Sequence, residues 1–229
     1  MKSNLSNRKL LTAAALLMSL GCITSCKKND INPDGYMNLK VVNAAPGSGP
    51  QSFTLADQVL VSGGLDFTDA SDYISTHSGT NLVARFMNGG TNAVYATGSL
   101  WTGDNQNFTI YLAGEGSSAR VKSYQDDLSA PQSGMAKIRF IHFSDAAPSN
   151  IKVKDLAGNN IFSTIVIKDV ATGYQNVNPG TFSLKIYNII SGDIIGDFTV
   201  TSLQAGKIYT LYLTGSTNAT LSVQKVQHN

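Results

Sequence analysis

The chain repeats itself, and an internal repeat of about 100 residues is the feature that most constrains how it can fold. Asn107–Gly114 matches Ile208–Gly215 at an offset of 101 residues, and the same offset aligns Tyr73 with Tyr174. Two similar stretches are expected to bury their apolar residues in similar ways. The chain is therefore predicted to contain two copies of one folding unit.

The repeat also sets the predicted domain boundaries. The two copies cover residues 37–126 and 136–229, and each is long enough for one small domain. Residues 127–135 between them contain Pro131 and Gly134 and have the composition of a linker. We therefore predict two tandem domains joined by a short connection.

Both copies have the alternating pattern of β-strands. Phe108, Ile110 and Leu112 face one side of a predicted strand, and the matching strand of the second copy repeats this alternation with one buried face. Gly, Asn and Asp mark turns between further short apolar runs. The predicted fold is all-β, with two tandem immunoglobulin-like Greek-key β-sandwich domains.

Three segments of the second copy resemble a known family. They are Ile138–Pro148, Pro179–Ile186 and Ala205–Gly215, and the first copy keeps the Ala-Ala-Pro element in Val42–Pro46. These segments resemble the domain-of-unknown-function 4397 family (DUF4397), more closely in the second copy than in the first. The resemblance implies β-sandwich modules of bacterial extracytoplasmic proteins, often lipid-anchored and often repeated. It implies no catalytic residues.

One strand of the first copy departs from its counterpart. Arg85 stands where the second copy has Ile186. Either the register slips by one residue, which turns Leu82, Ala84 and Phe86 inward, or that strand differs between the copies.

Residues 1–25 have the pattern of a secretory signal peptide. Three basic residues precede an apolar stretch over Leu10–Leu20, and small residues then precede a cysteine. Ile23–Cys26 resembles the lipobox of bacterial lipoproteins. The resemblance implies attachment of diacylglycerol to Cys26 as a thioether, cleavage before it and acylation of the new amine.

Cys22 is the alternative acylation site, but Ser19 departs from the lipobox three positions before it. We therefore predict a lipoprotein signal peptide over residues 1–25, an anchor at Cys26 and a polar tether over residues 26–36. The expected location is the bacterial cell envelope, anchored by lipid at the outer membrane, where the protein could be displayed on the cell surface. The membrane is thus one expected partner.

The charge balance of the chain argues against a nucleic-acid partner. Without the three basic residues of the signal peptide, 14 basic residues stand against 15 acidic ones. No basic excess remains to contact phosphates.

No catalytic residue, cofactor site or transition-metal site is expected. The three histidines lack the spacing of zinc ligands, and no Gly-x-Ser-x-Gly motif occurs. His142 is interpreted as a structural, hydrogen-bonded side chain, in the place that Asn43 takes in the first copy. Asp66, Asp69 and Asp72 form a weak calcium candidate, with solvated loop carboxylates as the favoured interpretation.

Trp101 is the candidate ligand-binding residue, with Asp104 and Asn105 beside it. A tryptophan among amides and an aspartate suits carbohydrate stacking or a protein-interaction hot spot. The favoured expectation is a ring packed over the end of the core, because the second copy has no aromatic residue at that place.

These observations favour a non-enzymatic interaction or structural module that is anchored in the cell envelope by lipid. The alternative is a glycan-binding accessory lipoprotein of a polysaccharide uptake system. The partner is an unidentified protein or glycan.

Overall fold

The computed structural model describes residues 29–162 and 165–229. All regular elements there are β-strands apart from two single 3-10 turns, so the predicted all-β class is confirmed. No helix in these residues is long and apolar enough to cross a membrane. The predicted signal peptide and both cysteines, Cys22 and Cys26, lie outside the described residues.

The first half contains seven strands in two layers. They are β1 (Asp30–Asn43), β2 (Gln51–Leu55), β3 (Gln58–Leu65), β4 (Ile74–Asn88), β5 (Val94–Thr102), β6 (Asn107–Ala113) and β7 (Arg120–Gln125). β4 belongs to both layers, because its first part pairs with β1 and its second part pairs with β2 and β5. β1 also pairs in parallel with β6, which pairs with β7. Apolar side chains from both layers form one core.

The second half contains eight strands in two four-stranded sheets. They are β8 (Ala136–His142), β9 (Asn150–Lys154), β10 (Val166–Ile167), β11 (Gln175–Val177), β12 (Gly180–Asn188), β13 (Ile194–Leu203), β14 (Ile208–Thr214) and β15 (Ser222–Gln227). The sheet orders are β10-β9-β12-β13 and β11-β8-β14-β15. β11 and β12 together correspond to β4. Pro179 separates them, because proline cannot donate to a strand ladder.

The two halves repeat specific hydrogen bonds as well as strands. Val41 N–H donates to Ser71 Oγ over 2.9 Å, and Phe140 N–H donates to Thr172 Oγ1 over 2.9 Å. The parallel pair of β1 with β6 recurs as β8 with β14. The sequence repeat therefore reflects a repeat of backbone geometry.

The two strands with the clearest sequence repeat, β6 and β14, are more deeply buried than their alternating pattern predicts. β14 is buried along its whole length, and β6 is buried beyond its first residue. A single buried face was predicted from the alternation. The second face is covered because the two halves pack against each other there.

The register question in β4 is settled by a bulge. The three side chains expected inward after a one-residue slip are buried: Leu82, Ala84 and Phe86. The pairing of β4 with β5 shifts between Gly79 and Leu82. Asn81 lies in this bulge with φ of +53° and has no counterpart in the second half. The slip is thus confirmed, and Arg85 matches Lys185 in its strand pairing.

The predicted polar tether over residues 26–36 is wrong for its second part. Residues 30–36 belong to β1, and Asp30 pairs with Thr80 of β4. The turn residues 32–35 make a bulge within the strand instead of keeping the chain away from the sheet.

His142 takes the place of an amide, and its predicted structural role is confirmed. Its buried Nδ1 accepts a hydrogen bond from Ser144 N–H (3.2 Å), and Nε2 donates to Pro148 O (2.9 Å). Asn43 makes the two equivalent backbone hydrogen bonds at 3.1 and 3.2 Å. Burial lowers the pKa of His142 to about 4, so the ring is neutral at pH 7.

An aromatic cluster joins the two halves. Tyr111 and Tyr212 occupy matching positions, and their ring centres lie 6.0 Å apart. The Phe143 ring centre lies 5.2 Å from that of Tyr111. The other buried members are Val42, Ala44, Ala113, Ile141 and Val226. The junction is therefore packed like the interior of a domain.

A closed ring of hydrogen bonds lies in the same junction. Arg139 binds Asp126 through Nη2 and donates from Nε to Thr210 Oγ1 (2.8 Å). Thr210 Oγ1 lies 2.7 Å from His228 Nε2, and His228 Nδ1 lies 3.0 Å from Tyr73 Oη. Tyr73 donates to Asp126 Oδ2 (2.8 Å). This donor pattern assigns the proton of His228 to Nδ1.

Burial lowers the pKa of His228 to about 3, and the nearby cations Arg139 and Lys40 add to the effect. The ring is therefore neutral at pH 7, in agreement with one nitrogen that donates and one that accepts. No sequence pattern indicates this role, because His228 is next to the last residue of the chain.

A second set of ion pairs crosses the junction. Arg120 of β7 donates from Nε to Asp169 Oδ2 (2.8 Å), from Nη1 to Asp145 Oδ1 (3.1 Å) and from Nη2 to Phe143 O (2.9 Å). All three nitrogens of this guanidinium thus bind the second half.

We predict that His142→Asn keeps the fold, because the amide can make the backbone hydrogen bonds that Asn43 makes. The free energy of unfolding should fall by no more than about 1 kcal/mol. His142→Leu should lose about 2–3 kcal/mol, because a buried N–H and a carbonyl are left unpaired. Urea unfolding at pH 7 measures both variants, and equal losses in the two would contradict the prediction.

The same variants test the pH dependence. The folded-state pKa of His142 is about 4, below the ordinary value of about 6.5. Stability from the neutral ring is therefore fully present above pH 6.5 and is lost as the pH falls toward 4, by about 3 kcal/mol in total. His142→Asn should remove this contribution, so a pH profile equal to that of the wild type would exclude it.

Candidate functional site

Trp101, the only tryptophan of the chain, lies on the surface of β5 and is 70% exposed. The expectation that it packs over the end of the core is wrong. Side chains alternate along a strand, and the neighbouring Leu100 takes the buried position. The indole ring is therefore presented to solvent on the outer face of the sheet.

The ring is held by the bulge residue of β4. Trp101 Nε1 donates to Asn81 Oδ1 over 3.1 Å. Asparagine tolerates the positive φ that this bulge requires. The second half lacks both partners, because Thr201 stands at the position of Trp101 and no residue matches Asn81. The exposed ring is a feature of the first half alone.

A polar strip continues from Trp101 across β4 and β5. Ser99 and Thr97 follow at alternate positions of β5 and therefore lie on the same face as the ring. They pair across the sheet with Val83 and Arg85 of β4. Two hydroxyl groups and a guanidinium thus share one face with the indole.

The polar strip leads into a cavity beside the turn between β2 and β3. Arg85 Nη1 forms an ion pair with Asp57 Oδ1 at 2.5 Å, and Asn29 Nδ2 donates to Asp57 Oδ2 over 3.2 Å. The cavity there has a volume of about 510 Å³. We call it the outer-face groove, and its lining residues are Asn29, Asp57, Val83, Arg85, Thr97, Gly98 and Ser99.

The groove offers both donors and acceptors to a ligand. The guanidinium donates, the carboxylate accepts, and the two hydroxyls can do either. Arg85 and Asp57 are partly exposed, so a ligand can reach them. This set suits a ligand with many hydroxyl groups and one face that can stack on Trp101.

Asp104 and Asn105, predicted beside Trp101 as ligand-binding residues, are used within the chain. Asp104 accepts hydrogen bonds from Asn32 Nδ2 (3.2 Å) and from Ser78 Oγ. Asn105 has φ of +57°, and its N–H donates to Tyr36 O over 2.7 Å. They tie the turn between β5 and β6 to the bulge of β1, and neither lines the outer-face groove.

Asp66, Asp69 and Asp72, the weak calcium candidate, are not brought together as a set of metal ligands in the described residues. Asp69 Oδ2 accepts a hydrogen bond from Asp66 N–H over 3.1 Å. Within residues 29–162 and 165–229, no three His, Cys, Asp or Glu side chains are placed to hold a metal ion together.

Sequence reasoning missed most of the outer-face groove. Asp57, Asn81 and Arg85 lie far apart along the chain from Trp101, and only strand pairing brings them together. One signal was present, because Arg85 interrupts the apolar run between Leu82 and Met87 of β4. It was interpreted as a question of register alone.

The family is shown by a sequence comparison. The model of the family described as "Domain of unknown function (DUF4397)" matches residues 37–154, which is more than half of the chain. The chain therefore belongs to the DUF4397 family. The match extends through β8 and β9 of the second half, so it crosses the predicted linker. A comparison with curated proteins finds no match.

Solved structures give only distant likenesses. The C-terminal domain of AlgF from P. aeruginosa is 22% identical, with a TM-score of 0.31 over 41% of this chain and 98% of that one. A family CBM26 module of Eubacterium rectale Amy13K, in complex with maltoheptaose, is 12% identical, with a TM-score of 0.24 over 84% and 98%. A candidate cell adhesion protein of Bacteroides fragilis is 10% identical, with a TM-score of 0.23 over 79% and 84%. Scores this low say nothing about function.

We predict that Trp101 behaves as a solvated side chain. Its fluorescence should be red-shifted and freely quenched by iodide, and Trp101→Ala should change the free energy of unfolding by no more than about 0.5 kcal/mol. The control is Leu100→Ala at the adjacent buried position, which should lose about 2–5 kcal/mol. A blue-shifted, protected emission would place the ring back in the core.

Proposed function

We propose that this protein is a non-enzymatic binding module of the cell envelope, anchored by lipid, and that its outer-face groove binds carbohydrate. The observation that carries the proposal is the exposed Trp101 ring, held by Asn81 beside a groove of hydroxyls and an ion pair. An aromatic ring stacks on the apolar face of a sugar, while polar side chains bind the sugar hydroxyls.

The length of the site favours an oligosaccharide. Trp101 and Thr97 are four residues apart on β5, which corresponds to about 13 Å along a strand. This distance exceeds one sugar ring. A glycan segment would therefore stack on Trp101 at one end and reach Arg85 and Asp57 at the other.

The proposed anchor lies close to this site. Cys26 precedes Asn29, a lining residue of the groove, by three residues, which can span at most about 11 Å. An acylated Cys26 would therefore hold the first half next to the membrane surface. The location proposed is the outer membrane, with the second half extending the module from it.

The repeated hydrogen bonds support a duplicated unit. We propose two tandem immunoglobulin-like Greek-key sandwiches, with the connection at residues 127–135 and the first unit beginning at Asn29. The matching bonds of Val41 and Phe140, and the matching parallel pairs of strands, support one ancestral unit.

We predict that a soluble chain starting at Lys27 binds polysaccharide through Trp101. Mobility in native gels that contain single soluble glucans, mannans or xylans should fall for at least one polymer, and its oligosaccharides should shift the Trp101 fluorescence. Trp101→Ala should weaken binding at least tenfold, as loss of a central aromatic contact does, and Trp101→Phe should retain part of it. Arg85→Ala should weaken it less.

Thr201→Ala is the matched control, because it changes the corresponding position of the second half and should leave binding unchanged. Retardation that survives Trp101→Ala would move the site elsewhere. A chain that no polymer of the panel retards would count against a carbohydrate ligand.

We predict that acylation occurs at Cys26. Metabolic labelling with an alkyne fatty acid in a bacterial host that processes lipoproteins should mark the wild type and Cys22→Ala, whereas Cys26→Ala should remain unlabelled. The full chain is used, because the signal peptide is needed for processing. Label that survives Cys26→Ala and disappears with Cys22→Ala would reassign the anchor.

A further inference from the structure

One strand edge is paired by backbone and side-chain hydrogen bonds in the first half, and the corresponding edge of the second half lacks these partners. In the first half, the chain's own segment Asn29–Ile31 lies along β4, and Asn29 Oδ1 accepts Val83 N–H over 2.7 Å. The carbonyl of Val83 accepts Ala56 N–H over 2.8 Å. Both backbone groups that Val83 turns away from β5 are thus satisfied.

Ser183 of β12 corresponds to Val83, because it pairs with Thr199 of β13 as Val83 pairs with Ser99 of β5. The pairing of β12 with β9 begins only at Lys185. Among residues 29–162 and 165–229, no group is hydrogen-bonded to the N–H or carbonyl that Ser183 turns away from β13. Within the described residues, which exclude 163 and 164 between β9 and β10, the backbone edge is therefore unpaired there.

Two differences between the halves open this edge. The two-residue turn that supplies Ala56 N–H is replaced by a connection from β9 to β10 that spans residues 155–165. In addition, residues 127–135 enter the second half from the first and do not pair with β12, whereas residues 30–31 pair with β4.

A cavity lies along this edge of β12. It has a volume of about 640 Å³, and we call it the β12 edge groove. Half of its lining residues are apolar and half are polar, and they include Leu156, Ile161, Val177, Thr181, Phe182 and Ser183. Thr181 aligns with Thr80, whose Oγ1 donates to Asp30 Oδ2 over 3.1 Å. The groove thus keeps the hydroxyl and the backbone N–H that hold Asn29–Ile31 in the first half. The two groups lie one residue closer along β12 than along β4, because the bulge residue Asn81 has no counterpart there.

We propose that the β12 edge groove binds an extended segment of a partner protein by strand addition, antiparallel to β12. The segment carries an Asn or Asp side chain that reaches Ser183 N–H, a carboxylate or amide side chain that reaches Thr181 Oγ1, and an aliphatic residue next. This chemistry is that of Asn29-Asp30-Ile31 along β4. Backbone hydrogen bonds supply affinity in such complexes, and the alternate side chains supply specificity.

The probe is a synthetic peptide with the sequence of residues 27–33, added at about 1 mM to the chain that starts at Lys27. Hydrogen exchange of the Ser183 amide should slow at least tenfold, and a scrambled peptide should have no effect. Ser183→Ala keeps the backbone N–H and should bind equally well. Ser183→Pro removes the N–H and should abolish binding, measured by fluorescence anisotropy of the labelled peptide.

Thr181→Val removes only the hydroxyl and should weaken binding several-fold, which keeps the test valid if Ser183→Pro fails to fold. Trp101→Ala should leave peptide binding unchanged, so this result is independent of the carbohydrate site. Absence of protection, or equal binding by Ser183→Pro, would overturn the proposal. Self-association of the chain that the peptide reverses would assign the groove to a second copy and overturn a foreign partner.

Discussion

The buried ion pair between Asp126 and Arg139 fixes how the two halves of this molecule are arranged. Their side chains are 0% and 3% exposed. Such a pair adds little net stability, because the loss of hydration offsets the attraction between the charges. Separating the partners would nevertheless leave a buried charge unpaired, at a cost of about 3–5 kcal/mol. The pair therefore selects one orientation of the halves over others.

The ring of hydrogen bonds reduces the cost of burying the charges of Asp126 and Arg139. Burial raises the pKa of Asp126, while Arg139, Thr109 and Tyr73 act against the rise by binding its carboxylate. His228 completes the ring as a neutral group, which adds no further charge to the junction. Fully satisfied polar networks of this kind specify a unique packing. The outer-face groove and the β12 edge groove are thereby held in a fixed relation.

Local patterns in the sequence predicted the features that depend on neighbouring residues, namely strands and their register. Alternation predicted the strands, and the charge at Arg85 indicated either a slip in β4 or a strand that differs between the halves. The junction could not be predicted, because Asp126, Arg139 and His228 meet only through tertiary packing, and a histidine beside the chain end has no distinguishing pattern. The prediction that Trp101 packs over the core was wrong. It assumed that the two halves have the same structure around this position, but the bulge at Asn81 occurs only in the first half.

The repeated strands separate residues that serve the fold from residues free to serve function. β6 and β14 resemble each other most closely because they are buried on both faces, against their own cores and across the junction. Substitutions there would disturb two packed surfaces at once. β5 and its counterpart β13 have exposed side chains on one face, which can diverge without this penalty. The first half carries Trp101 on β5, held by Asn81 of β4, and the described residues of the second half leave the edge of β12 unpaired. The two candidate sites thus lie on strands whose side chains are less constrained by packing than those of β6 and β14.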